Sequence, residues 1–272
     1  MKGARVAKLS ISEAWEESRA VLARDGKLIG TVALALFVLP GTILDLVMPE
    51  APVGQFPPAG PWMAVAAVAI LISLVGQLAI IRLAMGPHVS VGEAITHGAR
   101  RLLPYVAAVL IWALPLMVVI ALLYSAAGAD PENPSAGVAL GLLAVALLGI
   151  YLAVRFLMMS AVASGEAIGP AAILRRSWDI SGGNWWRLFG FLFAFAIGAI
   201  VLIWAVGTVT GVVAQLALGS VERMTAGGLI VIIVSQLISA LVSLTFFVIL
   251  ARIYTQGARP SGAHASVPSS GT

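Results

Sequence analysis

The stretch Val91-Gly92-Glu93-Ala94-Ile95-Thr96-His97-Gly98-Ala99-Arg100-Arg101 leads into an apolar run over residues 103–125. Its tetrapeptide Gly92 to Ile95 returns as Gly165, Glu166, Ala167 and Ile168, and the surroundings return with it. An arginine, Arg82 or Arg155, stands eleven residues before each glutamate at the end of an apolar run, and a double arginine, Arg100 and Arg101 or Arg175 and Arg176, follows. A fainter third copy opens the chain, where Ser12, Glu13, Ala14 and Trp15 replace the tetrapeptide and Arg19, Arg24 and Lys27 supply the cations. The unit predicts a surface helix followed by two membrane crossings, three times over.

Composition agrees, because 272 residues that are 60% hydrophobic and 10% charged, with a mean hydropathy of +1.03, cannot cover a water-facing surface with charge. A crossing of the hydrocarbon layer takes about 20 apolar residues. Six stretches qualify: 28–48, 62–85, 103–125, 138–159, 188–218 and 229–254. The expected fold is an all-α integral membrane protein, a single transmembrane domain over residues 1–255 with repeats at about 9–85, 89–160 and 166–254, each led by an amphipathic interfacial helix. Residues 256–272, rich in Gly, Ser, Ala and Pro, read as a disordered tail.

Orientation follows from the basic residues, since cytoplasmic loops retain Lys and Arg during insertion. If the N-terminus, the second and fourth loops and the C-terminus share one side, fifteen of the sixteen Lys and Arg fall there, leaving only Arg223 opposite. Both termini are therefore expected in the cytoplasm. Residues 1–10 are basic but run into the charged stretch 12–24 instead of an apolar segment, so the first crossing is expected to serve as the insertion signal. Cysteine is absent, which removes disulfides and thiolate chemistry together.

Local signals refine the units. Ser10 with Glu13 and Ser90 with Glu93 read as capping boxes, whereas in the third unit Gly169 and Pro170 take over helix initiation. Residues 177–187 combine several jobs: Gly182 or Gly183 ends one helix, Asn184 caps the next, and Trp178, Trp185 and Trp186 mark headgroup depth with Arg187 beside them. Packing between crossings in lipid needs small residues at the seams, and Gly190, Ala194 and Gly198, with Gly207 and Gly211, are the candidates in the fifth crossing, as Gly137 and Gly141 are at the start of the fourth. Pro40 and Pro115 interrupt the first and third.

The candidate functional residues are cations and tryptophans. Arg82 lies twenty helical steps from Trp62, about 30 Å, so it reaches the headgroups without burial in hydrocarbon. Arg82 and Arg155 read as anchors, or as partners of lipid phosphate, Glu93 or Glu166. Arg100, Arg101, Arg175, Arg176 and Arg187, with Trp178, Trp185 and Trp186, read as possible lipid-headgroup contacts, and plain anchoring at an anionic leaflet explains them as well. The histidines His88, His97 and His264 have no metal-ligand spacing, and no nucleotide, hydrolase or DNA-binding motif occurs, so catalytic residues, cofactors and nucleic-acid partners are not expected. Gln77, Gln215 and Gln236 read as glue between helices or as the lining of a pathway.

The run from Arg155 to Arg187 resembles the repeat signature of the glycerophosphoryl diester phosphodiesterase membrane-domain family. Arg155, Glu166, Arg176, Ser177, Trp178, Asn184, Trp185 and Arg187 match an arginine closing a crossing, a Glu-containing turn, and an Arg-Ser-Trp helix leading into Gly-Asn-Trp-Trp-Arg. The resemblance implies a stand-alone bacterial inner-membrane member, without the soluble catalytic domain and without its His-Arg-Gly phosphodiester motif. The function expected from all this is non-enzymatic: engagement of anionic lipid or of a membrane-protein partner through the basic, Trp-rich rim. The alternative is a transporter of lipids or small solutes, since two odd crossings are broken by proline and broken helices frame many transport sites.

Overall fold

The computed structural model describes residues 9–52, 57–86, 89–127, 135–222 and 224–258. Among them all regular structure is helical, and six helical stretches are long and apolar enough to cross a membrane: Ile11–Val47, Trp62–Met85, Val91–Ala126, Ala136–Gly165, Trp185–Leu218 and Ala226–Ala258.

The first stretch is one continuous rod. Helix α1 (Ile11–Ala33) passes through a π-helical turn (Leu34–Val38) into α2 (Leu39–Val47), with Pro40 in the first turn of α2. Proline has no N–H and its ring displaces the carbonyl four residues back. That carbonyl belongs to Leu36, and it accepts a hydrogen bond from the Ser73 hydroxyl of helix α3 (Trp62–Met85) at 3.3 Å. The proline break is thus converted into a wide turn whose freed acceptor joins two crossings. Only half of the expected box forms at the start of α1: Glu13 N–H donates to Ser10 Oγ at 3.3 Å, while Ser10 N–H turns away to Gln256 Oε1 at 3.1 Å.

Helix α4 (Val91–Ala127) carries both Pro104 and Pro115 inside it. Its box is complete, with Ser90 N–H donating to Glu93 Oε2 at 2.8 Å and Glu93 N–H to Ser90 Oγ at 3.3 Å. In both stretches the charged first turns and the apolar run therefore follow one continuous helical path. The chain after α4 is divided differently. Helix α5 (Ala136–Arg155) stops at a turn over residues 156–158, and a short α6 (Met159–Gly165) follows. Then α7 (Pro170–Ser181) starts on Gly169 and Pro170 and ends before Gly183, whose φ of 73° is a conformation glycine adopts without strain. Helix α8 (Trp185–Leu218) and α9 (Ala226–Ala258) complete the chain. The last of these runs three residues into the segment expected to be a tail, because Gln256 is held by Ser10; the remainder of the expected tail, 259–272, lies outside the described residues.

The core is gathered at the arginine-bearing ends of the crossings. Leu78, Ile80 and Ile81 of α3, Val162 of α6, Ile249 and Leu250 of α9, and Ile173, Ile180 and Leu188 from the third unit are all buried there. Toward the other end large side chains point outward, as suits surface facing lipid tails.

The small-residue seams fall only partly where expected. A Cβ built on Gly190, Gly198, Gly207 or Gly211 meets nothing within 4 Å, so these glycines of α8 make no close contact with the described residues. Close approach occurs at the expected Gly141 of α5, whose Cβ would lie 2.9 Å from Leu123 Cδ2 of α4, and also at Gly98 of α4, 2.8 Å from the Val75 carbonyl oxygen of α3, and at Gly76, 2.8 Å from Leu36 Cβ. The mid-crossing amides are engaged: Gln77 bonds Tyr105, Gln236 Nε2 donates to Asp45 Oδ2 at 2.7 Å, and Gln215 Nε2 to the Gly219 carbonyl at 3.2 Å.

Candidate functional site

The short buried helix α6 organises the basic end. A helix C-terminus leaves carbonyls unpaired and carries partial negative charge, so a cation there satisfies both needs. Arg101 supplies it from α4: Nε donates to the Ala163 carbonyl at 2.9 Å, and Nη2 to the carbonyls of Glu166 at 2.9 Å and Ile168 at 2.6 Å. His97, one turn earlier, bonds the Ser164 carbonyl through Nε2 at 2.9 Å; a carbonyl only accepts, so Nε2 holds the proton. Ser164 Oγ in turn donates to the Leu78 carbonyl at 3.1 Å and ties in α3. His97 precedes the apolar run of its helix. Burial first, and then the charges of Arg82, Arg101 and Arg100, hold its imidazole below the usual pKa against the opposing pull of the Ser164 carbonyl.

The two repeated glutamates have different partners. Glu93 is spent on its own helix cap, while Glu166 accepts Arg176 Nε at 3.0 Å and the Tyr254 hydroxyl at 2.8 Å. Neither pairs with Arg82 or Arg155, which corrects the expected pairing. Arg155 lies over aromatic rings instead, its guanidinium carbon 4.4 Å from the centre of Trp178 and 5.4 Å from that of Tyr151, and its Nε donates to the Tyr151 hydroxyl at 3.0 Å. Its carbonyl accepts the hydroxyls of both Ser177 and Ser181, at 3.1 and 2.9 Å, which pins α7 to the end of α5.

The tryptophans divide between packing and display. Trp185 stacks on Phe189 at 5.1 Å and on Tyr151 at 5.9 Å, so it belongs to an internal aromatic column. Trp178 is at the margin of exposure, and Trp186 is 77% exposed.

Asn184 does not cap α8 with its side chain. It is 4% exposed, and its Oδ1 accepts the Leu9 N–H at 3.4 Å while Arg187 Nη1 donates to the Leu9 carbonyl at 2.8 Å. Both peptide groups of one residue are thus held by the Asn-Trp-Trp-Arg turn. The sequence signals the turn but not its partner, because nothing in the composition around Leu9 marks it. Asn184→Ala combined with Arg187→Ala is expected to free the N-terminal segment. Limited proteolysis near Leu9 should speed up at least about tenfold, since two net hydrogen bonds of about 1 kcal/mol each are lost; an unchanged rate would remove the clamp.

Arg82, Arg100 and Arg175 are the cations of the expected site whose guanidinium groups have no hydrogen-bond, ion-pair or ring partner among the described residues, whereas Arg101, Arg155 and Arg187 are held by carbonyls, a hydroxyl or rings and Arg176 by a carboxylate. Arg82 and Arg100 share the wall of a cavity of about 510 Å³ with Val89, Gly92, Glu93, Ala94, Thr96 and His97. Arg175 stands apart on the exposed face of α7. The ten residues expected as headgroup contacts therefore separate: Arg101, Arg155, Arg176, Arg187 and Trp185 have internal partners, and Arg82, Arg100, Arg175, Trp178 and Trp186 have surface left to offer.

These features define a multi-pass helical membrane protein with a polar, arginine-rich end. The chain belongs to the family described as Domain of unknown function (DUF7847), whose model matches residues 9–257. No curated protein and no solved structure matches it.

Proposed function

We propose that this is a non-enzymatic protein of the bacterial inner membrane, built as three two-crossing units each led by an interfacial helical segment, with both termini in the cytoplasm. Its basic, tryptophan-bearing rim engages the anionic leaflet, and a membrane-protein partner is the second candidate for the same surface. The observation that carries this reading is the division among the cations: Arg82, Arg100 and Arg175 have no hydrogen-bond, ion-pair or ring partner among the described residues, on the end where Trp178 and Trp186 are exposed. Such cations each gain about 1 kcal/mol near an anionic surface. The positive-inside bias and the resemblance to the glycerophosphoryl diester phosphodiesterase membrane domain support the orientation and the choice of membrane.

The transporter reading draws on the π-helical turn before Pro40, since such turns mark many functional sites. The engaged state of Gln77 and Gln236 favours glue over pathway lining.

Purified full-length chain should retain anionic phospholipid in preference to phosphatidylcholine when lipids left after detergent extraction are measured by mass spectrometry. An Arg82→Gln, Arg100→Gln, Arg175→Gln variant should lose most of that preference. Equal retention of both lipids by the unaltered chain, with no co-purifying membrane protein, overturns the proposal.

A further inference from the structure

The cavity between the end of α3 and the first turns of α4 has a lining unlike the rest of the basic end. Arg82 reaches it from the last turn of α3, and Thr96, His97 and Arg100 reach it from successive turns of α4. The acid on its wall, Glu93, is turned back onto the Ser90 N–H and hydroxyl at 2.8 and 2.9 Å; it keeps its charge but forms no ion pair with either arginine. Of the first-turn amides of α4, the Glu93 N–H is taken by Ser90 Oγ, and the side chains of Arg82, Thr96, His97 and Arg100 make up the polar wall. His97 is fixed by its bond to Ser164, which leaves its second ring nitrogen unprotonated in the neutral form and able to take a proton beside an anion.

Two guanidinium groups facing one space repel each other unless an anion lies between them, and the planar fork of arginine matches tetrahedral oxyanions through paired hydrogen bonds. A threonine hydroxyl adds a neutral donor. The volume of about 510 Å³ lies within the range of small-ligand clefts and leaves room beside a bare anion for the group that carries it. The cavity wall includes the exposed Thr96 and Arg100, so it is reached from the rim.

We propose that this cavity binds a phosphate group, held by Arg82 and Arg100 with Thr96 and His97 beside them. The inference rests on the reading of the rim as an anion-engaging surface and makes it specific, because it assigns recognition to one concave site in place of diffuse attraction. The phosphate has two possible sources, a phospholipid headgroup or free phosphate, and they share this chemistry.

The test uses full-length chain in nanodiscs. One arm titrates inorganic phosphate against an all-phosphatidylcholine disc by calorimetry. The other follows, by native mass spectrometry, the exchange of phosphatidic acid and of phosphatidylserine into the protein. Preference for phosphatidic acid with no phosphate titration identifies the headgroup as the source, and saturable phosphate binding identifies the free anion; either supports the site.

Arg82→Gln and Arg100→Gln should each weaken the observed binding about tenfold. Arg175→Gln removes an equal charge outside the cavity and should change it by less than about twofold. Equal losses from all three variants would overturn the cavity site while leaving the diffuse rim reading in place, whereas loss of all anionic preference in the unaltered chain would remove both. As a check that needs no variant, saturating phosphate or phosphatidic acid should raise the thermal midpoint of the unaltered chain, as any ligand that binds only the folded state does. No shift from either ligand also overturns the site.

Discussion

Arg101→Ala should be the most destabilising single arginine replacement at the basic end, at roughly 3–5 kcal/mol. One guanidinium satisfies three carbonyls, those of Ala163, Glu166 and Ile168, at the end of a short helix whose residues Met159 to Ser164 are all buried. Without it those acceptors lose a charge-assisted partner, and the local backbone has no other cation placed to replace it. Glu166 is held from its side chain by Arg176 and Tyr254, so part of the turn should survive, which limits the loss to partial disordering. Arg100→Ala, one residue away, should alter stability by no more than about 0.5 kcal/mol, as for ordinary surface sites. Equilibrium unfolding of both variants in mixed micelles measures the difference. Equal costs would show that Arg101 is not the organising cation.

Gly98→Ala should cost about 1–3 kcal/mol, the range for overpacking a closed contact. The new methyl would lie 2.8 Å from the Val75 carbonyl oxygen and 3.3 Å from the Ala79 nitrogen, both backbone atoms of α3, so relief requires the two helices to move apart. Moving them would also disturb His97 and Arg101, which sit on either side of Gly98 on α4 and hold α6. Gly198→Ala in α8 meets nothing within 4 Å and should be neutral or stabilising by up to about 1 kcal/mol, since alanine is the better helix former. The same unfolding experiment decides it; a penalty at Gly198 as large as at Gly98 would mean that α8 packs against something beyond this chain.

Ala94 and Gly98 of α4 stand four residues apart on one buried face, and it is against that face that α3 closes. Gly190, Ala194 and Gly198 had the expected spacing, yet they line an open groove beside Leu241, Val242 and Thr245 of α9, and a Cβ on either glycine would meet nothing within 4 Å. Spacing reports which residues share a helix face, and whether another helix comes to that face depends on the crossing geometry. The caps were more legible. Ser90 and Glu93 close their box as the local sequence requires, because both halves lie within one turn. At Ser10 the same pattern half-fails, because Gln256 competes for the serine N–H from the far end of the chain.

What the sequence determined by itself was the solvent and the secondary structure: six apolar stretches of sufficient length, helical because a backbone in hydrocarbon must satisfy its own hydrogen bonds, with cations and tryptophans collected between them. Tertiary structure alone decided what each cation does. Arg100 and Arg101 are the same residue type in adjacent positions, yet the 100° turn between them along a helix sends one to a cavity wall and the other to the carbonyls of α6. Likewise Glu93 and Glu166 share a tetrapeptide, and their partners differ because α4 begins at Ser90 whereas the backbone around Glu166 leaves α6 and stops short of α7, exposing its carboxylate to Arg176 and Tyr254. Repetition fixes residue type, and the partner is supplied by whichever distant segment folds against it.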